Sequence, residues 1–216
     1  MALYGPWDPL TPTGVAQVLH GFGRPWWIVG GWAIEAASGR PREHEDVDVS
    51  MLACDVPALY HHLKCEWHVW NNNEGTLHPL SDRRPAAREP VNQLWLRRDA
   101  TSPWAIDVIL IADRDGRWVS RRDPDHVAPV EDVTWVHTDG IRYQQPEIVL
   151  LHKVFAARHK DERDLRVMWP TMDEAARRWL VEQVGRLYPD HRWLALLEEL
   201  GRAEVRPGDA PADRPS

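Results

Sequence analysis

The sequence predicts an α/β (α+β) fold: a mixed sheet flanked by helices, followed by a helical C-terminal half. Three observations predict it. Apolar runs of strand length, residues 26–29 (WWIV) and 104–111 (WAIDVILI), alternate with stretches of helical spacing through the first 143 residues. Residues 46–49 (DVDV) alternate polar and apolar side chains, as a strand with one buried face does. From Pro146 the pattern changes, and Ile148, Leu151, Val154 and Phe155 recur at helical spacing behind a first-turn proline.

Each element follows in order. Residues 13–22 read as an opening helix capped by Thr11 or Thr13. The buried strand 26–29 is broken by Gly30-Gly31, residues 33–37 suit a short helix, and a loop returns the chain to the strand at 46–49. Residues 55–64 read as a helix with Asp55 as N-cap and Pro57 in the first turn. A strand over 66–70 ends in the turn signal Asn71-Asn72-Asn73. Strands over 77–80 and 93–97 flank the arginine- and proline-rich SDRRPAAREP, and 104–111 is the most apolar strand after the first. Residues 133–136 and 141–143, joined around Asp139-Gly140, form a hairpin. Helices are expected over 146–159, 161–168, 173–188 and 191–200, with Asp161, Asp173 and Asp190 as N-caps. The layout is an α/β unit over 1–143, a helical region over 144–203 and a polar, proline-rich tail over 204–216 that is expected to be disordered.

Composition bounds the function. At 216 residues with 43% hydrophobic content, the chain can bury a sizeable core. It has no apolar run of membrane-spanning length and no secretory leader pattern, and two cysteines make no disulfide framework, so the cytoplasm is the expected setting. A net charge of −7 argues against a nucleic-acid partner and suits a small cationic ligand. Of the thirteen tryptophans, Trp26, Trp27, Trp104 and Trp135 lie in strand-like runs and are expected as core. Oligomeric state is not legible.

The candidate chemistry lies in residues 26–49. Gly30 and Gly31 break a strand where backbone can approach phosphate oxygens, at the positive end of the following helix. Asp46 and Asp48, two apart on a strand, would project to one side, and paired carboxylates repel unless a cation lies between them. Arg40 and Arg42 lie in the connecting loop as candidate clamps on a triphosphate, against the alternative of a solvated, self-neutralising loop. His44 is expected to orient that loop. Asp107 is the one charged residue in 104–111, and such a burial is costly unless the carboxylate is paired or binds metal. If its strand lies beside that of Asp46 and Asp48, three carboxylates converge, fitted to bridge magnesium and to accept a proton from a hydroxyl. Lys153 would reach the nucleotide phosphates, or else face solvent. Glu66, Glu74 and Glu89 are candidate acceptor contacts, with surface charge as the alternative.

Taken together, Gly30-Gly31-Trp32, Gly39-Arg40, Arg42, His44 and Asp46-Val47-Asp48 resemble the DNA polymerase beta-like nucleotidyltransferase superfamily. Within it, the chain is similar to the small antibiotic adenylyltransferases of the aminoglycoside 2''- and lincosamide types. Lys153, Arg158, Lys160-Asp161 and Asp164-Leu165 complete the likeness, which spans roughly residues 13–170. The resemblance implies a nucleotidyltransferase-like mixed sheet and ATP as co-substrate. It further implies two magnesium ions held by Asp46, Asp48 and Asp107, and transfer of a nucleoside monophosphate to the hydroxyl of a small molecule. Two rival readings are a nucleotidyltransferase toxin acting on tRNA or protein, which would want a basic face, and a nucleotide-binding member without catalysis.

Overall fold

The computed structural model describes residues 4–86 and 93–204. The chain parts into two compact units, Met1–Val149 and Leu150–Ser216, a division that falls within a helix and not ahead of it at residue 143.

In the first unit, α1 (Pro12–Val18) starts at Thr11, whose side chain accepts from the Gly14 N–H. β1 (Trp26–Ile28) leads into α2 (Gly30–Ser38), β2 (Asp48–Leu52) and α3 (Val56–Leu63). β3 (His68–Asn73) and β4 (Thr76–Pro79) form a hairpin, so Asn71–Asn73 continue the strand and the turn falls at Glu74-Gly75. Both turn residues have positive φ, +48° and +85°, the left-handed geometry that a tight reversal demands. β5 (Gln93–Arg97) and β6 (Ile106–Ile111) follow. A three-stranded sheet of β7 (Asp113–Arg114), β8 (Arg117–Val119) and β9 (Val127–Ala128) is a feature that sequence periodicity did not predict, its strands being too short to show one. The expected hairpin is present as β10 (Thr134–Val136) and β11 (Arg142–Gln144).

The main sheet has eight strands in the order β10-β11-β1-β2-β6-β5-β3-β4. It is mixed: β1 runs parallel to β11 and β2 parallel to β6, and the other pairs are antiparallel. One face is largely apolar, with Ile28, Val49, Met51, Val69, Leu94, Leu96, Val108 and Leu110 all buried and Asn71, opposite Leu94, as a buried polar exception. The opposite face carries Trp70, Trp95, Asp107 and Asp48. The N-terminal segment straps across it. Trp104 Nε1 donates to the Tyr4 carbonyl at 2.7 Å, the Asp8 and Leu10 N–H groups bond to the Trp104 and Ala105 carbonyls, and Trp7 packs edge-on against Trp95. Trp27 and Trp104 are core, as expected, whereas Trp26 and Trp135 are half-buried.

The second unit continues α4 (Pro146–Val154), which ends before His159 and leaves Phe155 exposed. α5 (His159–Met168), α6 (Glu174–Leu187) and α7 (Trp193–Glu204) follow. Asp173 caps α6, accepting from the Ala176 N–H at 2.8 Å. Asp161 is instead the third residue of α5, where its Oδ2 accepts the Arg158 N–H at 3.0 Å, and His191 in place of Asp190 receives the Trp193 N–H ahead of α7. The rest of the expected tail, 205–216, and Glu89 lie outside the described residues. No helix among the described residues is long and apolar enough to cross a membrane.

Leu94 is wholly buried in β5. Leu94→Ala should lower the unfolding free energy by about 2–5 kcal/mol, read as a fall in urea midpoint at unchanged slope.

Candidate active site

β1 and β2 pair antiparallel with Ile28 opposite Val49, and the Val29 N–H bonds to the Asp48 carbonyl at 3.0 Å. The chain then turns at Gly30, φ +66°, into α2. A Cβ on Gly30 would stand 2.5 Å from Asp48 Oδ2, so both the conformation and the space demand glycine. A Cβ on Gly31 would meet the Arg42 guanidinium at 3.0 Å. The glycine pair thus brings the first turn of α2, the Asp48 carboxylate and the Arg42 cation together.

The strand expected over 46–49 begins at Asp48, and Asp46 lies ahead of it, exposed. Val47 and Val49 are buried, which leaves Asp46 and Asp48 directed away from the core. β6 runs parallel beside β2 with Asp107 in register with Asp48. Neighbouring strands lie about 4.8 Å apart, and residues in register project to the same face, so these two carboxylates are immediate neighbours. Burial, then repulsion from Asp48 and Asp46, pushes the Asp107 carboxyl up to about 8, against a smaller opposing pull from Trp95 and the Arg121 guanidinium. Gln93 Nε2 donates to Asp107 Oδ2 at 3.1 Å, while Oδ1 is buried with no hydrogen-bond partner.

As the side chains stand, no three carboxylate, imidazole or thiolate groups among the described residues enclose an ion. Asp48 and Asp107 stand side by side, with Asp46 in the loop just ahead of β2. Two in-register carboxylates with one buried oxygen unsatisfied still fit a hard cation that takes oxygen ligands and retains water.

The loop before Asp46 is clamped onto α2. Glu35 Oε2 accepts the Arg42 N–H at 2.9 Å and lies 2.8 Å from His44 Nε2. The His44 ring stacks on Trp32 at 3.6 Å, and Trp32 Nε1 donates to the Asp46 carbonyl at 3.0 Å. His44 therefore orients the loop. Trp32, which the sequence reading matched as part of Gly30-Gly31-Trp32 without giving it a role, and Glu35, which it did not single out, hold that loop in place; their helical spacing is the signal that links the two.

The two loop arginines separate. Arg42 lies over the glycines, whereas Arg40 is exposed past the C-terminal end of α2, its N–H bonded to Ser38 Oγ. Lys153 is neither solvent-facing nor a free cation. Within the helical unit its Nζ sits 3.2 Å from Asp161 Oδ1 and 2.9 Å from Asp164 Oδ2, largely buried. Burial alone would raise the Asp161 carboxyl, but the Arg158 hydrogen bonds and the Lys153 charge outweigh it and hold it low. Glu66 forms an exposed pair with Arg98, and Glu74 sits at the β3–β4 turn. A cavity of about 440 Å³ instead lies along α2, lined by Trp32, Glu35, His137, Asp139 and Tyr143. The Tyr143 hydroxyl donates to Asp139 Oδ2 at 2.9 Å.

Residues 13–70, which span the glycines, Arg42, Asp46 and Asp48, match the sequence profile of the aminoglycoside-2''-adenylyltransferase family. The solution structure of the antibiotic-resistance factor ANT(2'')-Ia superposes with a TM-score of 0.50 at 14% identity, covering 89% of this chain and all of that one. The crystal structure of the lincosamide antibiotic adenylyltransferase LnuA, bound to lincomycin, gives 0.50 at 16% identity, covering 76% of this chain and all of that one. The fold is that of the antibiotic adenylyltransferases. No curated protein matches the chain in sequence. The adenylyltransferase fold accounts for the mixed sheet that carries Asp48 and Asp107 side by side, and the profile match stops short of Asp107 and Lys153.

Folded Asp107 keeps its proton to about pH 8, whereas an unfolded aspartate loses it near 4, so raising the pH between these values favours unfolding. Asp107→Asn should match the parent chain in stability at pH 4. It should gain on the parent as pH rises to 8, by roughly 1 kcal/mol per pH unit, in metal-free urea titrations.

Proposed function

We propose that this protein transfers AMP from ATP to a hydroxyl of a small cationic sugar, an aminoglycoside-type antibiotic, in a magnesium-dependent reaction. The observation that carries the reading is the in-register pair Asp48 and Asp107, set against a glycine turn with one carboxylate oxygen unsatisfied. Gly30, Gly31 and the N-terminal turn of α2 offer close backbone approach and a positive dipole end to the triphosphate, and Arg42 adds the charge above it. Arg40 and Lys153 have no part in this reading, since one lies past the far end of α2 and the other is held by two aspartates.

Asp48 and Asp107, with Asp46 from the adjoining loop, would hold two magnesium ions. When bound, the metal draws charge from the α-phosphate and aligns the incoming oxygen. With a cation held beside it and its own proton lost, the Asp107 carboxylate would take up the proton of the attacking hydroxyl as that oxygen bonds to the α-phosphorus and pyrophosphate leaves. Gln93 keeps Oδ2 occupied while this happens. The cavity beside α2 supports the choice of acceptor. Its Glu35 and Asp139 carboxylates suit ammonium groups, and the half-buried Trp32 ring lines the same cavity. The antibiotic-resistance factor and the lincosamide adenylyltransferase that share the fold support an antibiotic as acceptor, and the profile match over residues 13–70 favours the aminoglycoside class. The net charge of −7 disfavours an RNA substrate, and dependence on ATP fits a cytoplasmic enzyme.

Incubation with labelled ATP, magnesium and a panel of aminoglycosides and lincosamides tests the reading. Transfer to at least one aminoglycoside is expected, lost on chelation and at least about a thousandfold slower in Asp48→Asn. No transfer to any acceptor would sink the antibiotic reading. Asp139→Asn should raise KM for a polycationic acceptor on the order of tenfold with kcat little changed, the mark of lost uniform binding.

A further inference from the structure

We propose that Gln93 and Asn72 are positioning residues for Asp107: a chain of two carboxamides that fixes one carboxylate oxygen so that the other is presented to a divalent cation. The inference rests on the metal-dependent reading above and extends it to residues that never touch the ion. Three strands place the members on one face. Asn72 is opposite Gln93, and Gln93 stands two residues from Trp95, the partner of Asp107.

The order of donors and acceptors is set from one end. At the β3–β4 turn the Gly75 N–H donates to Asn72 Oδ1 at 2.9 Å. A backbone N–H can only donate, so the oxygen of Asn72 must face it and Nδ2 must face Gln93. Asn72 Nδ2 donates to Gln93 Oε1 at 3.3 Å, which leaves Gln93 Nε2 to donate to Asp107 Oδ2 at 3.1 Å. Without Asn72, Gln93 could turn its own oxygen toward Asp107 and repel it. With Asn72 in place, Oδ2 is tied and Oδ1 remains unsatisfied.

The chemical type of the donor matters as much as its aim. An arginine or lysine there would neutralise the carboxylate and compete with a cation for it. A carboxamide orients the carboxylate without cancelling its charge. Hydrogen-bond partners of this kind behind metal ligands commonly change metal affinity by about 10–100-fold.

Manganese(II) alone, titrated into the full chain and read by the electron paramagnetic resonance of the free ion, tests the chain. Thermal unfolding of each variant is followed alongside. Gln93→Met, close in volume but without a donor, should weaken manganese binding about 10–100-fold with a normal unfolding transition. Asn72→Asp keeps an acceptor for Gly75 but draws Gln93 Nε2 to the new carboxylate, and should weaken binding in the same direction. Because Asn72 acts only through Gln93, the double variant should bind no more weakly than Gln93→Met. Unchanged affinity in folded Gln93→Met overturns the proposal, as do additive losses in the double variant. Should Gln93→Met fail to fold, unchanged affinity in Asn72→Asp does the same. A wild-type chain that binds no manganese overturns the metal reading together with this one, whereas a binding wild type with indifferent variants overturns this one alone.

Discussion

The parallel pairing of β2 with β6 is the constraint on which the rest depends. It sets Asp48 and Asp107 across one inter-strand spacing, with Asp107 half-buried. Two carboxylates so placed cannot both ionise without cost, and keeping one protonated costs stability at neutral pH. The surroundings leave that cost uncompensated by any contact ion pair to Asp107 among the described residues. Gly30 has no side chain to crowd Asp48, Gln93 supplies a neutral donor, and Arg121 exerts its charge on Asp107 without an ion-pair contact.

Much of this could be read from the sequence, for identifiable reasons. The alternation at 46–49 and the lone charge in 104–111 are local signals, and the structure sets Asp48 beside Asp107 as that pattern suggested. Turn chemistry was less dependable. Asn71–Asn73 looks like a chain reversal, yet Asn71 and Asn72 are buried in β3, and the reversal falls one residue on, where Gly75 supplies the positive φ. Tertiary hydrogen bonds overrode local preference there, since Asn72 is engaged by Gln93 and Gly75. Gln93 itself gave no signal, because its importance is a matter of which strand lies next to which. The same holds for Arg40 and Arg42. Two residues apart in a loop, they look interchangeable until the helix separating them from the glycines is drawn to length.

The helical unit gives the second motif a structural part. Lys153, Asp161 and Asp164 form a largely buried ion cluster that joins α4 to the start of α5, with the exposed Arg158 guanidinium adding a further bond to Asp161. Removing Lys153 would leave two buried carboxylates without their cation, a loss on the order of 3–5 kcal/mol, so folding alone gives these residues a reason to occur together.

The N-terminal strap has a consequence in the order of synthesis. Residues 4–10 are synthesised well before the groups they bond, Trp104 and Ala105, and the ring they pack on, Trp95, which come roughly a hundred residues later. Until then Tyr4 and Trp7 lack the rings and carbonyls they settle against, and the nascent chain carries them unhoused over that interval. The carboxylate pair can assemble only once β6 has paired with β2, the kind of distant contact that closes late because the intervening chain must first be ordered.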